Sequence, residues 1–88
     1  MKIKDGFVLR SVMGNNVVIA VGEASKNFRG MVQLNESAAE IWKHIEDGKT
    51  RDEICELMFD KYEVERANLE ADVDRVIETL CENGFVDL

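Results

Sequence analysis

The sequence predicts an α+β fold in which a three-stranded antiparallel sheet is followed by a three-helix cluster. Before residue 35, short runs of β-branched and aromatic residues alternate with Gly- and Asn-containing turns, which indicates strands. After that point apolar residues recur at the i, i+3 and i+4 spacing of amphipathic helices. With 88 residues, of which 45% are apolar, the chain is predicted to form one domain, 1–88, around one core.

The first two strands are predicted at residues 7–13 and 17–21, joined by a turn at residues 14–16 (GNN). Gly and Asn accept positive φ angles readily, which suits a tight hairpin turn. After a polar loop, a third strand is predicted at residues 28–34, with Gly30 as a bulge or bend within it.

The first two helices carry clear start signals. Asn35 is a favourable N-cap residue, and Thr50 with Glu53 three positions later forms the capping-box pattern. Gly48 is predicted to end the first helix. The predicted apolar faces are Ala38, Ile41, Trp42 and Ile45 in the first helix and Ile54, Leu57 and Met58 in the second, the latter flanked by Phe59 and Tyr62.

The third helix is predicted at residues 65–83, with Gly84 in the left-handed conformation at its C-terminal end. Its predicted core stripe consists of Leu69, Val73, Val76 and Leu80. Residues 85–88 are predicted to be extended and able to pair or pack. Three antiparallel strands beside three closely connected helices bury both layers and resemble a winged-helix arrangement.

The acidic charge argues against a nucleic-acid partner, which a winged helix would otherwise suggest. The formal net charge is −7, and the predicted third helix has six acidic residues against Arg66 and Arg75. Such a helix would be repelled by phosphates. No apolar run approaches the ~18 residues of a membrane span, and the N-terminus lacks the features of a signal peptide. We therefore expect a cytoplasmic protein with no membrane association.

The sequence contains no recognisable catalytic or metal-binding pattern. Cys55 and Cys81 are far apart and are predicted to be reduced thiols, and His44 is the sole histidine. Glycine-rich phosphate loops, HExxH and nucleophile-elbow motifs are absent from the sequence. We therefore predict a binding module that is not an enzyme and that uses neither a cofactor nor a metal.

Four segments in the second half resemble one known family. They are "LNxxAxxIW" at 34–42, "DGKTRDEI" at 47–54, "YEV" at 62–64 and "DVxxxIxxLxxxGFV" at 72–86. In this order and at this length they resemble the PqqD-like family, named for pyrroloquinoline quinone biosynthesis protein D. The N-terminal hairpin also fits, so that the resemblance covers nearly the whole chain.

The resemblance implies a RiPP recognition element, a winged-helix-like domain without catalytic activity. Such a domain binds the leader segment of a ribosomally made precursor peptide and presents it to a modifying enzyme, often a radical S-adenosylmethionine protein. In the family the leader adds as a further strand to the edge of the third strand and lies against the third helix. Transferred to this chain, the strand residues are Phe28, Arg29, Met31, Val32, Gln33 and Leu34.

On the third helix, a helical wheel places Glu70, Asp74, Ile77 and Cys81 on one flank of the core stripe. Because Ile77 and Cys81 widen the apolar stripe there, we predict that these four residues face the peptide, with the two carboxylates favouring a leader that carries Lys or Arg. The alternative is that Ile77 and Cys81 belong to a broad buried face.

The strand itself is suited to strand addition, since the chain has no Pro and only Arg29 would place a blocking charge on that edge. The alternative function is a winged-helix protein–protein interaction domain unrelated to peptide modification. The sequence leaves open whether the protein is a monomer or a homodimer.

Overall fold

The α+β fold is confirmed by a computed structural model, which describes residues 1–28 and 30–88. The elements in chain order are β1 (Lys2–Ile3), β2 (Phe7–Val12), β3 (Asn15–Ala20), a 3₁₀ helix (Gly22–Lys26), β4 (Met31–Leu34), α1 (Glu36–Glu46), α2 (Arg51–Lys61), α3 (Arg66–Glu82) and β5 (Val86–Asp87). Strands β2, β3 and β4 form an antiparallel sheet in that order, and β1 pairs with β5 separately.

The hairpin is confirmed, but the predicted turn at residues 14–16 is wrong. Val12 pairs directly with Asn15, so the loop consists of Met13 and Gly14 alone. Both have positive φ, 52° and 82°, as a type I′ turn requires. The sequence pattern does not predict this turn, because Met rarely adopts the left-handed conformation that Met13 has here. Asn15 and Asn16, whose residue type favours that conformation, lie in β3 instead.

The third sheet strand, β4, is shorter than predicted and begins at Met31. Phe28 lies before the strand, and its ring packs edge-on against Phe7 (5.7 Å between centroids) and Phe85 (5.4 Å). Phe85 also contacts the buried Trp42 at 5.9 Å. Phe28 therefore joins the sheet to the C-terminal segment, and Arg29, predicted as a strand residue, falls outside the described residues.

The predicted helix starts are confirmed in detail. The Asn35 side chain accepts a hydrogen bond from the Ala38 N–H (2.9 Å). At α2, Thr50 Oγ1 accepts from the Glu53 N–H (3.2 Å), and Glu53 Oε1 accepts from the Thr50 N–H (2.9 Å). Gly84 adopts the predicted positive φ, at 80°. These local bonds fix where α1 and α2 begin and so set the short connection between them.

One predicted core position is wrong, and a second is only partly buried. Leu57 is 40% exposed, and Cys55 takes its place beside Ile54 and Met58 in the buried face of α2. In α3 the buried stripe includes Ile77, whereas the predicted Val76 is only partly buried. The core stripe of α3 is thus rotated toward α2, which leaves Val76 on the opposite flank.

The two chain ends are joined by a short antiparallel ladder, in which Lys2 pairs with Asp87 and Ile3 with Val86. The Lys4 N–H extends it by donating to the Phe85 carbonyl (2.8 Å). The prediction that residues 85–88 could pair or pack is confirmed. Since β5 directly follows α3, this ladder holds the end of α3 against the rest of the molecule.

Candidate functional site

Strand β4 lies at one edge of the sheet, because within residues 1–28 and 30–88 it pairs with β3 alone. Backbone groups alternate in direction along an antiparallel strand, so one bond fixes the direction of the others. The Val21 N–H donates across the hairpin to the Gly6 carbonyl (2.7 Å). The N–H and C=O groups of every second residue before Val21, such as Ile19 and Val17, therefore also point toward β2. Those of Val18 and Asn16, which lie between, point toward β4.

This alternation determines which part of β4 is open. Val32 is paired with Val18 and Leu34 with Asn16, so the N–H and C=O groups of Val32 and Leu34 are used within the sheet. Those of Met31 and Gln33 point away from β3. The free edge of β4 consequently offers two N–H donors and two C=O acceptors to an added strand.

Side chains of β4 alternate between solvent and the interior. Val32 is half-buried and Leu34 buried, whereas Met31, at 64% exposed, and Gln33 point to solvent. The Gln33 amide donates to Asn15 Oδ1 (3.2 Å) on the neighbouring strand. The outer edge of β4 therefore presents unpaired backbone N–H and C=O groups, and the exposed side chain of Met31 lies beside them.

A groove runs between this end of the sheet and α3, and we call it the β4 groove. Its volume is about 120 Å³, and it is lined by Leu34, Ala38, Arg75, Val76, Thr79 and Leu80. Its floor is apolar, and Arg75 at its rim pairs with Asp72 (2.8 Å). An extended chain that pairs with β4 would lie next to this groove.

The predicted helix residues lie on the other flank of α3, facing α2. Arg51 of α2 donates to both carboxylate oxygens of Asp74 (2.8 Å each) and to Glu70 (3.0 Å). The Arg51 hydrogen bond lowers the pKa of Asp74 and raises the pKa of the guanidinium. The two carboxylates are therefore engaged in joining α2 to α3.

The two apolar residues predicted beside them are part of the interior. Ile77 is 8% exposed and belongs to the core, and Cys81 packs against that core. Ile77 and Asp74 also border a separate depression of about 330 Å³, whose other walls include the connection between α1 and α2. This depression is not lined by any residue of β4, so the predicted strand and helix residues do not form one surface.

Sequence reasoning did not place Arg75, Val76 and Thr79 beside the third strand, and these three residues line the β4 groove. A helical wheel separates the two flanks of the apolar core stripe of α3, but it does not indicate which neighbouring element packs against each flank. The partial burial of Val76, on the flank away from Ile77, is the structural feature that identifies the groove side.

In the described part of the chain, no group of three or more His, Cys, Asp or Glu side chains is placed to hold a metal ion. The helices in the same part of the chain are too short or too polar to cross a bilayer. The chemistry available at this site is hydrogen bonding by an open strand edge together with apolar contact in a groove.

Two solved structures share this fold. The chain is similar to TbiB1, solved in complex with the TbiA(beta) leader peptide, with a TM-score of 0.81, 23% identity, and coverage of 99% of this chain and 95% of that one. It is also similar to a lasso peptide synthetase B1 complexed with the leader peptide, with a TM-score of 0.78, 24% identity, and coverage of 96% of this chain and 93% of that one.

No curated protein matches the sequence significantly. The family model for coenzyme PQQ synthesis protein D (PqqD) matches residues 17–86, from β3 through the first residue of β5. This range contains the open strand, all three helices and the groove between them, and the chain belongs to the PqqD family.

Proposed function

We propose that this protein binds the leader segment of a ribosomally synthesised precursor peptide and presents it to a modifying enzyme. The observation that carries the proposal is the open edge of β4 beside the apolar groove of α3. Two proteins of the same fold have been solved with leader peptides bound, which supports the same class of ligand here.

Binding by strand addition follows from the direction of the β4 backbone groups. A peptide running along β4 would exchange hydrogen bonds with Met31 and Gln33 and leave the ladder between β4 and β3 intact. Alternate side chains of the peptide would then point toward the β4 groove, where Val76 and Leu80 offer apolar contact. The backbone bonds set the register, and the groove adds selectivity.

The residues we assign to peptide contact are Met31, Val32, Gln33 and Leu34 on the strand and Arg75, Val76 and Thr79 on α3. Contact by Phe28 and Arg29, and by Glu70, Asp74, Ile77 and Cys81, stays a prediction. For the carboxylates it would require a leader that competes with Arg51, to which both are already hydrogen-bonded.

The role we propose is binding and presentation, with the chemistry carried out by the partner enzyme. A partner of the radical S-adenosylmethionine type and a cytoplasmic location are part of this proposal, since precursor peptides are made on ribosomes. The type of partner enzyme rests on the resemblance to the family.

The proposal is tested by titrating the isotope-labelled protein with the leader of the precursor peptide encoded beside its gene. We expect the amides of Met31 and Gln33 to become protected from hydrogen exchange, because only these acquire new partners. Methyl signals of Val76 and Leu80 should shift, and that of Ile77 should not. Unchanged spectra at saturating peptide would refute the proposal.

A matched pair of variants isolates the backbone contribution. Gln33→Pro removes an outward N–H and places the proline ring on the free edge, whereas Gln33→Ala keeps the N–H. We expect Gln33→Pro to weaken the leader about tenfold or more, because a lost hydrogen bond (about 0.5–1.5 kcal/mol) adds to the steric block. Gln33→Ala should bind nearly as wild type, and both should fold, since neither breaks the ladder to β3.

A further inference from the structure

The sheet has a second face that turns away from the helices, and we call it the outer sheet face. Side chains alternate between the two faces of a strand, and residues paired across strands lie on the same face. Val18 is fully buried in the core, so its neighbours Val17 and Ile19 belong to the outer sheet face. With the residues paired to them, the apolar members of this face are Val8, Val12, Val17, Ile19 and Met31.

These apolar side chains form one patch with no helix packed above it. Val8, Ile19 and Met31 lie side by side in a row across the three strands. Within the described part of the chain, none of the five apolar members packs against the helical core. Val17 is nevertheless only 7% exposed, so the side chains of this face pack against one another. Four of the five are β-branched and lose little side-chain freedom when a partner covers them.

Acidic residues are absent from the outward-facing positions of β2, β3 and β4. The chain contains 18 Asp and Glu residues, yet Arg10 is the sole charged residue at these positions. Charged residues are depleted in the centres of protein interfaces. The outer sheet face therefore suits a partner surface that is apolar and carries a carboxylate opposite Arg10, whereas the acidic helices would repel such a carboxylate.

The size of the outer sheet face distinguishes a second copy of this chain from a different partner. Three strands about 4.8 Å apart and about 20 Å long offer an area of roughly 300 Å². Two copies packed face to face would bury about 600 Å² in total, which is below the roughly 1,200–2,000 Å² of a stable interface. A partner that also holds the bound peptide needs less contact area, because the shared peptide raises its effective concentration.

A bound leader would enlarge the outer sheet face. Residues of an added strand that lie opposite Met31 and Gln33 place their side chains on the same face as these two residues. The residues between them point toward the β4 groove instead. The peptide would thus supply a fourth strand to the outer sheet face, with its outward side chains next to Met31.

We propose that the modifying enzyme docks on the outer sheet face and binds it more tightly when a leader is paired with β4. The proposal rests on the leader-binding function above and adds the surface through which the protein meets its enzyme. An enzyme that docks in this way distinguishes the loaded protein from the empty one. Because coupling between two binding events is reciprocal, the enzyme raises the affinity for the leader by the same factor.

The test uses the whole protein together with the leader and the modifying enzyme encoded beside its gene. Titration calorimetry measures the affinity of the protein for the leader, and then its affinity for the enzyme with the leader absent or saturating. The leader is shortened to its strand-paired segment, so that the peptide does not extend into the active site of the enzyme.

Two variants change the outer sheet face at a distance from β4, and each has a matched control. The combined variant Val8→Lys/Val12→Lys places two charges on the apolar patch, and Leu57→Lys places one on α2, where Leu57 is 40% exposed. Arg10→Glu reverses the charge of the outer sheet face. Lys43→Glu makes the same change on the exposed side of α1.

In wild type we expect the leader to raise the affinity for the enzyme at least fivefold. Val8→Lys/Val12→Lys should weaken enzyme binding at least tenfold, because the apolar contact of two side chains is lost. Arg10→Glu should weaken it about fivefold through repulsion of the opposing carboxylate. The two controls should bind the enzyme as wild type does, and retained leader binding shows that each variant is folded.

An enzyme that does not bind the loaded wild type, binds both outer-face variants as tightly, or binds equally with and without the leader would overturn the docking surface and leave leader binding standing. If Val8→Lys/Val12→Lys also loses the leader, Arg10→Glu decides the question. A wild type that does not bind the leader refutes strand addition, and the coupled docking fails with it. A wild-type dimer that Val8→Lys/Val12→Lys dissociates would assign the face to a second copy and overturn the proposal.

Discussion

At the scale of single residues, Gly6 holds the sheet to the segment that leads into β4. Its φ is +93°, its carbonyl accepts from Val21, and a Cβ there would lie 2.6 Å from the Cβ of Ala24. Ala24 belongs to the 3₁₀ helix and cannot rotate out of the way. Gly6 is thus required for both its conformation and the close approach of the 3₁₀ helix.

Gly6→Ala is expected to lower the free energy of unfolding by about 2–4 kcal/mol, from left-handed strain of about 1 kcal/mol together with the steric clash. Gly14→Ala is the control. Gly14 also has a positive φ, 82°, but a Cβ there would meet nothing within 4 Å, so only the strain remains. Urea denaturation of both variants measures the difference. Equal losses would show that the contact with Ala24 contributes nothing.

The sequence predicts those side-chain interactions that join residues only a few positions apart. Asn35 and Thr50 were identified because a cap needs only its own side chain and the next turn of backbone. Phe28 was misassigned to the strand, since an aromatic residue suits both a strand and a core. Its contacts with Phe7 and Phe85 come from distant parts of the chain.

At the scale of elements, Arg51 joins α2 to α3 through Asp74 and Glu70. Because the Arg51 hydrogen bond depresses the pKa of Asp74 in the folded state, Asp74 binds a proton less tightly when folded than when unfolded. The resulting stabilisation is fully present above the unfolded pKa of about 3.9 and is lost as the pH falls through the folded pKa.

Asp74→Asn is expected to destabilise the protein at pH 7 and to differ less from wild type as the pH drops below about 4. Asp74 is 55% exposed, so the loss at pH 7 should be at most about 1 kcal/mol. Thermal unfolding across the pH range measures it, with Glu78→Gln on the exposed face of α3 as the control. A deficit that stays constant down to pH 2 would contradict the assignment to the Asp74 carboxylate.

The same pair of helices shows why the site was predicted only in part. Periodicity predicted that α3 is amphipathic, and the open edge of the third strand was implied by the resemblance to the PqqD-like family. The flank of α3 that faces β4 depends on how three helices pack, which no local pattern encodes. Arg51 covers one flank, and the opposite flank with Val76 is left for the groove.

At the scale of the whole molecule, the free edge of β4 raises the question of self-association. Two copies paired edge to edge would use Met31 and Gln33 of each, giving at most four backbone hydrogen bonds. At about 0.5–1.5 kcal/mol each, these barely reach the 4–15 kcal/mol lost on association.

We therefore expect the protein alone to sediment as a monomer at concentrations up to about 100 µM, where a dimer would need a free energy of association near −5.5 kcal/mol. Analytical ultracentrifugation with wild type and Gln33→Pro gives the answer. A wild-type dimer that Gln33→Pro dissociates would show that the edge pairs with itself and that a leader peptide must compete with it.

The direction of the β4 backbone groups has a consequence for how the protein and its ligands evolve. Main-chain N–H and C=O groups are the same in every peptide, so the contacts of Met31 and Gln33 place no demand on ligand sequence. The sequence of a leader could then change at positions whose side chains do not contact the β4 groove, provided that the peptide remains extended. One such protein could bind precursors of unlike sequence, and a change in the peptides that it binds would require substitutions in the walls of the β4 groove.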